Sequence, residues 1–204
     1  AARAALGNPP ETADVEYLAL LGATAALSGD VASGLQYLEQ AVLQSPEDAR
    51  LRAQLGMMRI AAGDTAQGEL DLSQALELDP GLANDPRYES AEITLIQGYL
   101  REAKFDEALA AIETWKSRHP GDKTGLVMEG VALAGKGDEA GARAAFDRAL
   151  EMQPGAPDAS ANLAILDIRA GDLAGAEEIL QRSLDGNPDD LRILLLLAQV
   201  AEKS

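Results

Sequence analysis

Few side chains in this sequence could do chemistry. The one histidine, His119, precedes Pro120 in a turn-like stretch, and no serine, cysteine or second histidine arrangement stands with it to make it a base or a ligand. Asp185, Asn187 and Asp189 alternate like the opening of a calcium loop. Such a loop needs glycine at its sixth place and glutamate at its twelfth, where Asp190 and Leu196 stand, so the run reads as a helix stop. The glycines form no phosphate-cradling loop, because no Gly-Lys-Ser/Thr follows a strand-like segment. With no cysteine, disulfides, thiolate metal centres and thiol catalysis are excluded, while either redox compartment is tolerated. The expectation is a protein that is no enzyme and uses no cofactor or metal.

The residues do specify a repeated positioning element. Leu55 to Pro80 reads as helix, tight turn, helix, stop, and its landmarks recur 34 residues apart: Gly22 with Gly56, Gly29-Asp30 with Gly63-Asp64, Ala41 with Ala75, Pro46 with Pro80. Apolar residues three and four apart, Leu18, Leu21 and Ala25 followed by Leu35, Leu38, Ala41 and Val42, mark two amphipathic helices per unit. Gly22, Gly56, Gly130 and Ala164 are expected to face Gly34, Gly68, Ala142 and Ala176 where the two backbones approach. Each Gly-Asp pair should end one helix in the left-handed conformation and cap the next, and each proline should separate hairpins. This pattern resembles the tetratricopeptide repeat (TPR), which implies an all-α fold, a right-handed superhelix or α-solenoid of helical hairpins.

The register divides the chain into a tail of a preceding repeat (1–14), repeats at 15–48 and 49–82, an insertion at 83–88, repeats at 89–122, 123–156 and 157–190, and the first helix of a sixth repeat at 191–204. The insertion stretches the spacing from Pro80 to Pro120 to 40 residues and is expected to act as a hinge, being polar and containing Pro86. The third repeat departs from the pattern, with Ile96 in the glycine place and Ala103-Lys104 at the turn. A chain that opens without Met inside a repeat reads as a fragment of a longer protein. Ile193 to Ala198, its longest apolar run, is far short of the roughly 20 residues that span a bilayer, so no direct membrane insertion is expected.

With 34 acidic and 17 basic residues the formal charge is −17, which repels nucleic acid and anionic lipid and suits either solubility or a basic partner. Counting along each first helix puts the second, fifth, ninth and twelfth places on the concave face. That groove is expected to include Met57, Ile60, Ile93, Gln97, Leu100, Val127, Val131, Ile165 and Ile168, an apolar lining for a protein or peptide segment. The same residues could instead pack on neighbouring helices. Leu191, Leu194, Leu195 and Leu197 on the last helix offer a rival use, homo-oligomerisation.

The co-chaperone TPR subgroup, with its clamp of Lys, Asn and Arg, is a poor match, since Ala19, Ala23, Ala53 and Met57 stand where the clamp would be. Gly130 to Leu133 with Ala142 to Phe146, and Ala161 to Ala164 with Asp167 to Leu173, are similar to the bacterial TPR lipoproteins associated with PEP-CTERM/exosortase and exopolysaccharide systems. That resemblance implies a lipid-anchored assembly scaffold at the cell envelope or periplasmic face, and leaves a cytoplasmic location open.

Overall fold

The computed structural model describes residues 13–203, apart from the side chains of residues 83 and 87. The aspartates of the Gly-Asp pairs cap the second helices as expected, and Asp14 and Asp48 cap first helices in the same way. Asp14 accepts from the Tyr17 amide at 2.7 Å, Asp30 from Ser33 at 3.2 Å, Asp48 from Arg50 at 2.9 Å, and Asp138 and Asp172 from Gly141 and Gly175 at 2.9 Å each. Four hairpins follow from these caps: α1 (Val15–Leu27) with α2 (Val31–Gln44), α3 (Ala49–Ala62) with α4 (Thr65–Leu78), α7 (Thr124–Lys136) with α8 (Glu139–Met152), and α9 (Pro157–Ala170) with α10 (Leu173–Gly186). Between the second and third of these lie a short 3-10 helix (Pro80–Asn84), α5 (Pro86–Arg101) and α6 (Phe105–Arg118), and α11 (Leu191–Lys203) comes last. No strand occurs among the described residues.

The glycine turns behave as their positions require, with Gly63 at φ +98° ending α3. Between α5 and α6, where Ala103 stands instead, the backbone keeps the same left-handed turn, at φ +57°, and Lys104 supplies no side-chain cap to α6. The hairpin crossings are as close as the small residues imply. A Cβ on Gly56 would lie 2.8 Å from the Gly68 carbonyl oxygen, so the second hairpin closes only without one. In the fourth repeat the space at Gly130 holds the ring of Phe146, which is 1% exposed.

By their contacts the residues form two compact units, one running to Tyr99 and the other starting at Leu100. In the first, Leu18, Leu38, Ala41, Leu51 and Leu55 make one core cluster, and Ala53, Ile60, Leu72, Tyr88 and Ala91 belong to a second. The inserted segment is anchored at its two ends. Leu82 and Tyr88 are 4% and 5% exposed and sit in that second cluster, while Asp79 caps the 3-10 helix at the Gly81 amide, 2.9 Å away. The division at Tyr99 therefore lies well beyond the insertion. In the second unit, Leu126 and Ala149 anchor one cluster, Phe146, Leu163 and Leu166 another, and Leu180, Ile193 and Val200 a third that joins α9, α10 and α11.

Candidate protein-binding surface

Helix periodicity buries one face of each first helix and leaves another open. In the first unit the open faces line a cleft of about 450 Å³ to which α1 contributes Ala23 and Ala26, α3 contributes Met57, Met58 and Ala61, and α5 contributes Thr94. Beside it a recess of about 80 Å³ is bordered by Arg50, Ala53, Met57, Leu82 and Tyr88. Met57 lines both and is half-buried. Ile93 and Leu100 are also half-buried, and Gln97 is exposed.

Ile60 corrects the expected groove lining. Its side chain is 0% exposed, held against Gly68 of α4 and Gly98 of α5, so no partner can reach it. The missing side chain of Gly98 is the cause: a Cβ there would stand 2.7 Å from Ile60 Cγ2, and without it α5 covers the isoleucine. Met58 and Ala61 line the cleft although the four-place count omitted them; the signal was the next place round the helix.

In the second unit Val127, Val131, Ile165 and Ile168 are all half-buried. Val127 and Val131 lean on the cluster around Phe146, and Ile168 on the cluster around Leu180, so part of each side chain already packs within the chain. On α11, Leu191, Leu194 and Leu195 are 75%, 40% and 70% exposed. Leu197 departs from the expected patch, since it packs inward with Leu196, Ile193 and Val200.

A polar network joins the helices elsewhere in the first unit. Asp71, 3% exposed on α4, receives Arg59 Nη1 at 2.5 Å, and Arg59 Nη2 donates to Glu39 of α2 at 2.9 Å. Arg52 Nη1 lies 3.7 Å from Asp71 and donates to Gln74 Oε1 at 2.7 Å, while its Nη2 donates to the Pro46 carbonyl at 3.1 Å. Burial pushes the Asp71 carboxyl up, against the downward pull of Arg59 and Arg52. Burial would lower the Arg59 guanidinium, but its bonds to Glu39 and Asp71 raise it overall. Desolvation and attraction thus oppose each other, as in other buried ion pairs, and the network ties α2, α3 and α4 together through its hydrogen bonds. His119 stacks on Trp115 with ring centroids 4.2 Å apart and its Nδ1 lies 3.0 Å from the Trp115 carbonyl, a packing role. No group of three or more His, Cys, Asp or Glu that could hold a metal occurs among the described residues.

Comparison with known proteins bears on the architecture. A tetratricopeptide repeat family model matches residues 133–200 and a second one residues 93–157, together more than half of the chain. Human protein O-mannosyl-transferase TMTC3 is 28% identical over 161 residues, 78% of this chain but only 17% of that protein. Among solved structures, MamA from residue 41 to its end, of Desulfovibrio magneticus RS-1, superposes with a TM-score of 0.69 at 18% identity, covering 86% of this chain and 97% of that solved chain. PilW, described as a widely conserved type IV pilus biogenesis factor, gives 0.67 at 18% identity over 92% of this chain and 84% of PilW. At those identities the likeness is one of fold, and it agrees with the capped 34-residue hairpins: the chain belongs to the tetratricopeptide repeat family.

Proposed function

We propose that this chain is a non-enzymatic scaffold that binds a segment of another protein along the open faces of its first helices. TPR proteins are in general protein-interaction scaffolds. The observation that carries the reading here is the cleft between Ala23, Ala26, Met57, Ala61 and Thr94, an apolar surface on a chain of net charge −17. Val131 and Ile165 are half-buried apolar residues of the same kind on first helices of the second unit, and acidic residues near either surface would select the partner. The setting we favour is a bacterial cell-envelope assembly of the exopolysaccharide or protein-sorting kind. It rests on the similarity to PEP-CTERM/exosortase-associated TPR lipoproteins, and the likeness in fold to PilW, a pilus biogenesis factor, is in keeping with it. A transferase activity is not part of the proposal, because the chain matches only 17% of TMTC3. The test is a pull-down from envelope extract comparing the native chain with an Ile93→Asp/Val131→Asp variant of equal helix content. A protein retained by the first and lost by the second is the expected result, and equal retention by both would remove the groove from the account.

A second use is favoured by Leu191, Leu194 and Leu195, whose exposure on α11 would let a second copy cover them. Light scattering with and without residues 191–204 separates the two readings. A dimer that needs the helix supports self-association, and one that persists without it rejects that interface.

A further inference from the structure

The eighth place of a repeat is where its two helices cross. Gly22, Gly56, Gly130 and Ala164 hold that place in the four hairpins, and all are buried. A Cβ on Gly22 would meet Leu38 Cγ at 2.8 Å, one on Gly56 the Gly68 carbonyl oxygen at 2.8 Å, and one on Gly130 the ring of Phe146. Each second helix thus lays a small residue over the crossing and a large apolar one four residues later: Gly34 and Leu38, Gly68 and Leu72, Ala142 and Phe146, Ala176 and Leu180. Three residues further comes Ala41, Ala75, Ala149 or Ser183, and all of these are buried as well.

The last helix, α11, carries the first-helix half of this arrangement, and no second helix lies over it among the described residues. Ala198 stands at its eighth place and is exposed. Leu194 and Leu191 lie one and two turns before it and Ala201 one turn after, and all three are exposed. At the fourth place of their repeats Leu18 and Leu126 are buried in clusters with Ala41 and Ala149 of their own second helices, whereas Leu194 is 40% exposed. The other face of α11 is firmly seated. Ile193 and Val200 pack on α9 and α10, and Asp190 accepts from the Arg192 and Ile193 amides at 3.0 and 3.1 Å. A helix that closes a repeat array turns a polar face outward, which this stripe is not, so α11 is an open half of a hairpin.

We propose that α11 takes an amphipathic helix of a partner protein, one that lays Gly or Ala on Ala198, Leu or Phe four residues later, and Ala or Ser three residues after that. The four hairpins of the chain supply the template, because the same places of a first helix are closed by that pattern each time. A second copy of the chain could cover the stripe only with another kind of surface. Its helices of this pattern, α2, α4, α8 and α10, already bury it against their own first helices. The site does not rest on the cleft at Met57.

The probe is a blocked peptide with the sequence of α8, Glu139–Met152, titrated into the whole chain, with the methyl resonances of Leu191, Leu194, Ala198 and Ala201 followed by NMR. Shifts at these methyls, and none on α7 where the chain's own α8 sits, are expected. The peptide with Ala142→Leu should bind roughly tenfold more weakly, because two side chains then meet at the crossing, and so should the native peptide to a chain with Ala198→Leu. Gln199→Leu adds similar bulk on another side of α11 and should leave binding unchanged, as should Ile93→Asp/Val131→Asp, which tests the groove separately. Undiminished binding by Ala198→Leu would overturn the proposal, as would an equal loss from Gln199→Leu, shifts on α7 in place of α11, or no shifts at millimolar peptide. A dimer in light scattering that is lost on removing residues 191–204 would overturn it too, since a second copy would then hold the stripe. If Ala198→Leu does not keep its helix content by circular dichroism, the Ala142→Leu peptide against the native chain decides alone.

Discussion

Ala103 is the residue at which the repeat pattern and the chain disagree most. The left-handed turn that Gly63 makes freely costs an alanine about 1–2 kcal/mol in steric conflict, partly offset because alanine orders at a smaller entropy loss. Ala103→Gly should therefore stabilise the chain, by about 0.5–1 kcal/mol in urea denaturation; a loss of stability would mean that the turn is not strained. Lys116 is a second residue with a measurable role. Burial would lower its ammonium, but Glu129 at 2.9 Å and Glu113 at 3.1 Å raise it overall above its ordinary 10.5. A folded value above the unfolded one means the native chain holds the proton more tightly. Its contribution is thus complete below 10.5 and disappears as pH rises through the folded value. The stability difference between the native chain and Lys116→Met should accordingly be constant through neutral pH and shrink in strongly alkaline solution. A difference that instead shrank towards acid, with the alkaline value unchanged, would count against the pairing.

At the scale of elements, the 3-10 helix and the start of α5 hold the inserted residues by Leu82 and Tyr88. Leu82→Ala removes one of these anchors from a cluster that includes Ala49, Leu72 and Ala91, and should cost about 2–3 kcal/mol, with faster hydrogen exchange at Gly81 to Asp85. Exchange that stays slow in the variant would show that Tyr88 is sufficient. The hairpins themselves were legible in the sequence because their signals are local: an aspartate three residues before the amide it caps, a glycine at a left-handed turn, apolar residues at helical spacing. The anchors Leu82 and Tyr88 were not, because Leu82 stands in the last place of its repeat, where the others before and after have Asp48 and Asp122, and Tyr88 lies in an insertion that belongs to no period and whose composition made it look like a loop. Ile60 was misplaced for a related reason. What buries it is Gly98 on α5, beyond the point where the register shifts, and a count of places within one repeat cannot see the next one.

For the whole molecule the dominant quantity is its charge of −17. The cations do not lie idle: Arg59, Lys116, Arg143 and Arg192 each reach a carboxylate on a neighbouring repeat, at 2.9, 2.9, 2.6 and 3.3 Å. These pairs are short-ranged and several are partly buried, so salt weakens them little, whereas repulsion among the many unmatched carboxylates acts over longer distances. Raising ionic strength from about 0.01 to about 0.15 M shortens the screening length from roughly 30 to 8 Å. The repulsive share should be screened first, and the melting temperature should rise by about 2–4 °C, corresponding to about 1 kcal/mol for a chain of this size. Sodium and choline chlorides should act alike, because screening does not depend on which cation is present; a rise with sodium only would indicate ion binding instead. A fall in melting temperature would mean that the inter-repeat pairs outweigh the repulsion. The same field bears on partners: a basic segment approaching the cleft at Met57 would be steered at low salt and lose association rate as salt is added, while its dissociation, governed by the apolar contacts there, should change much less.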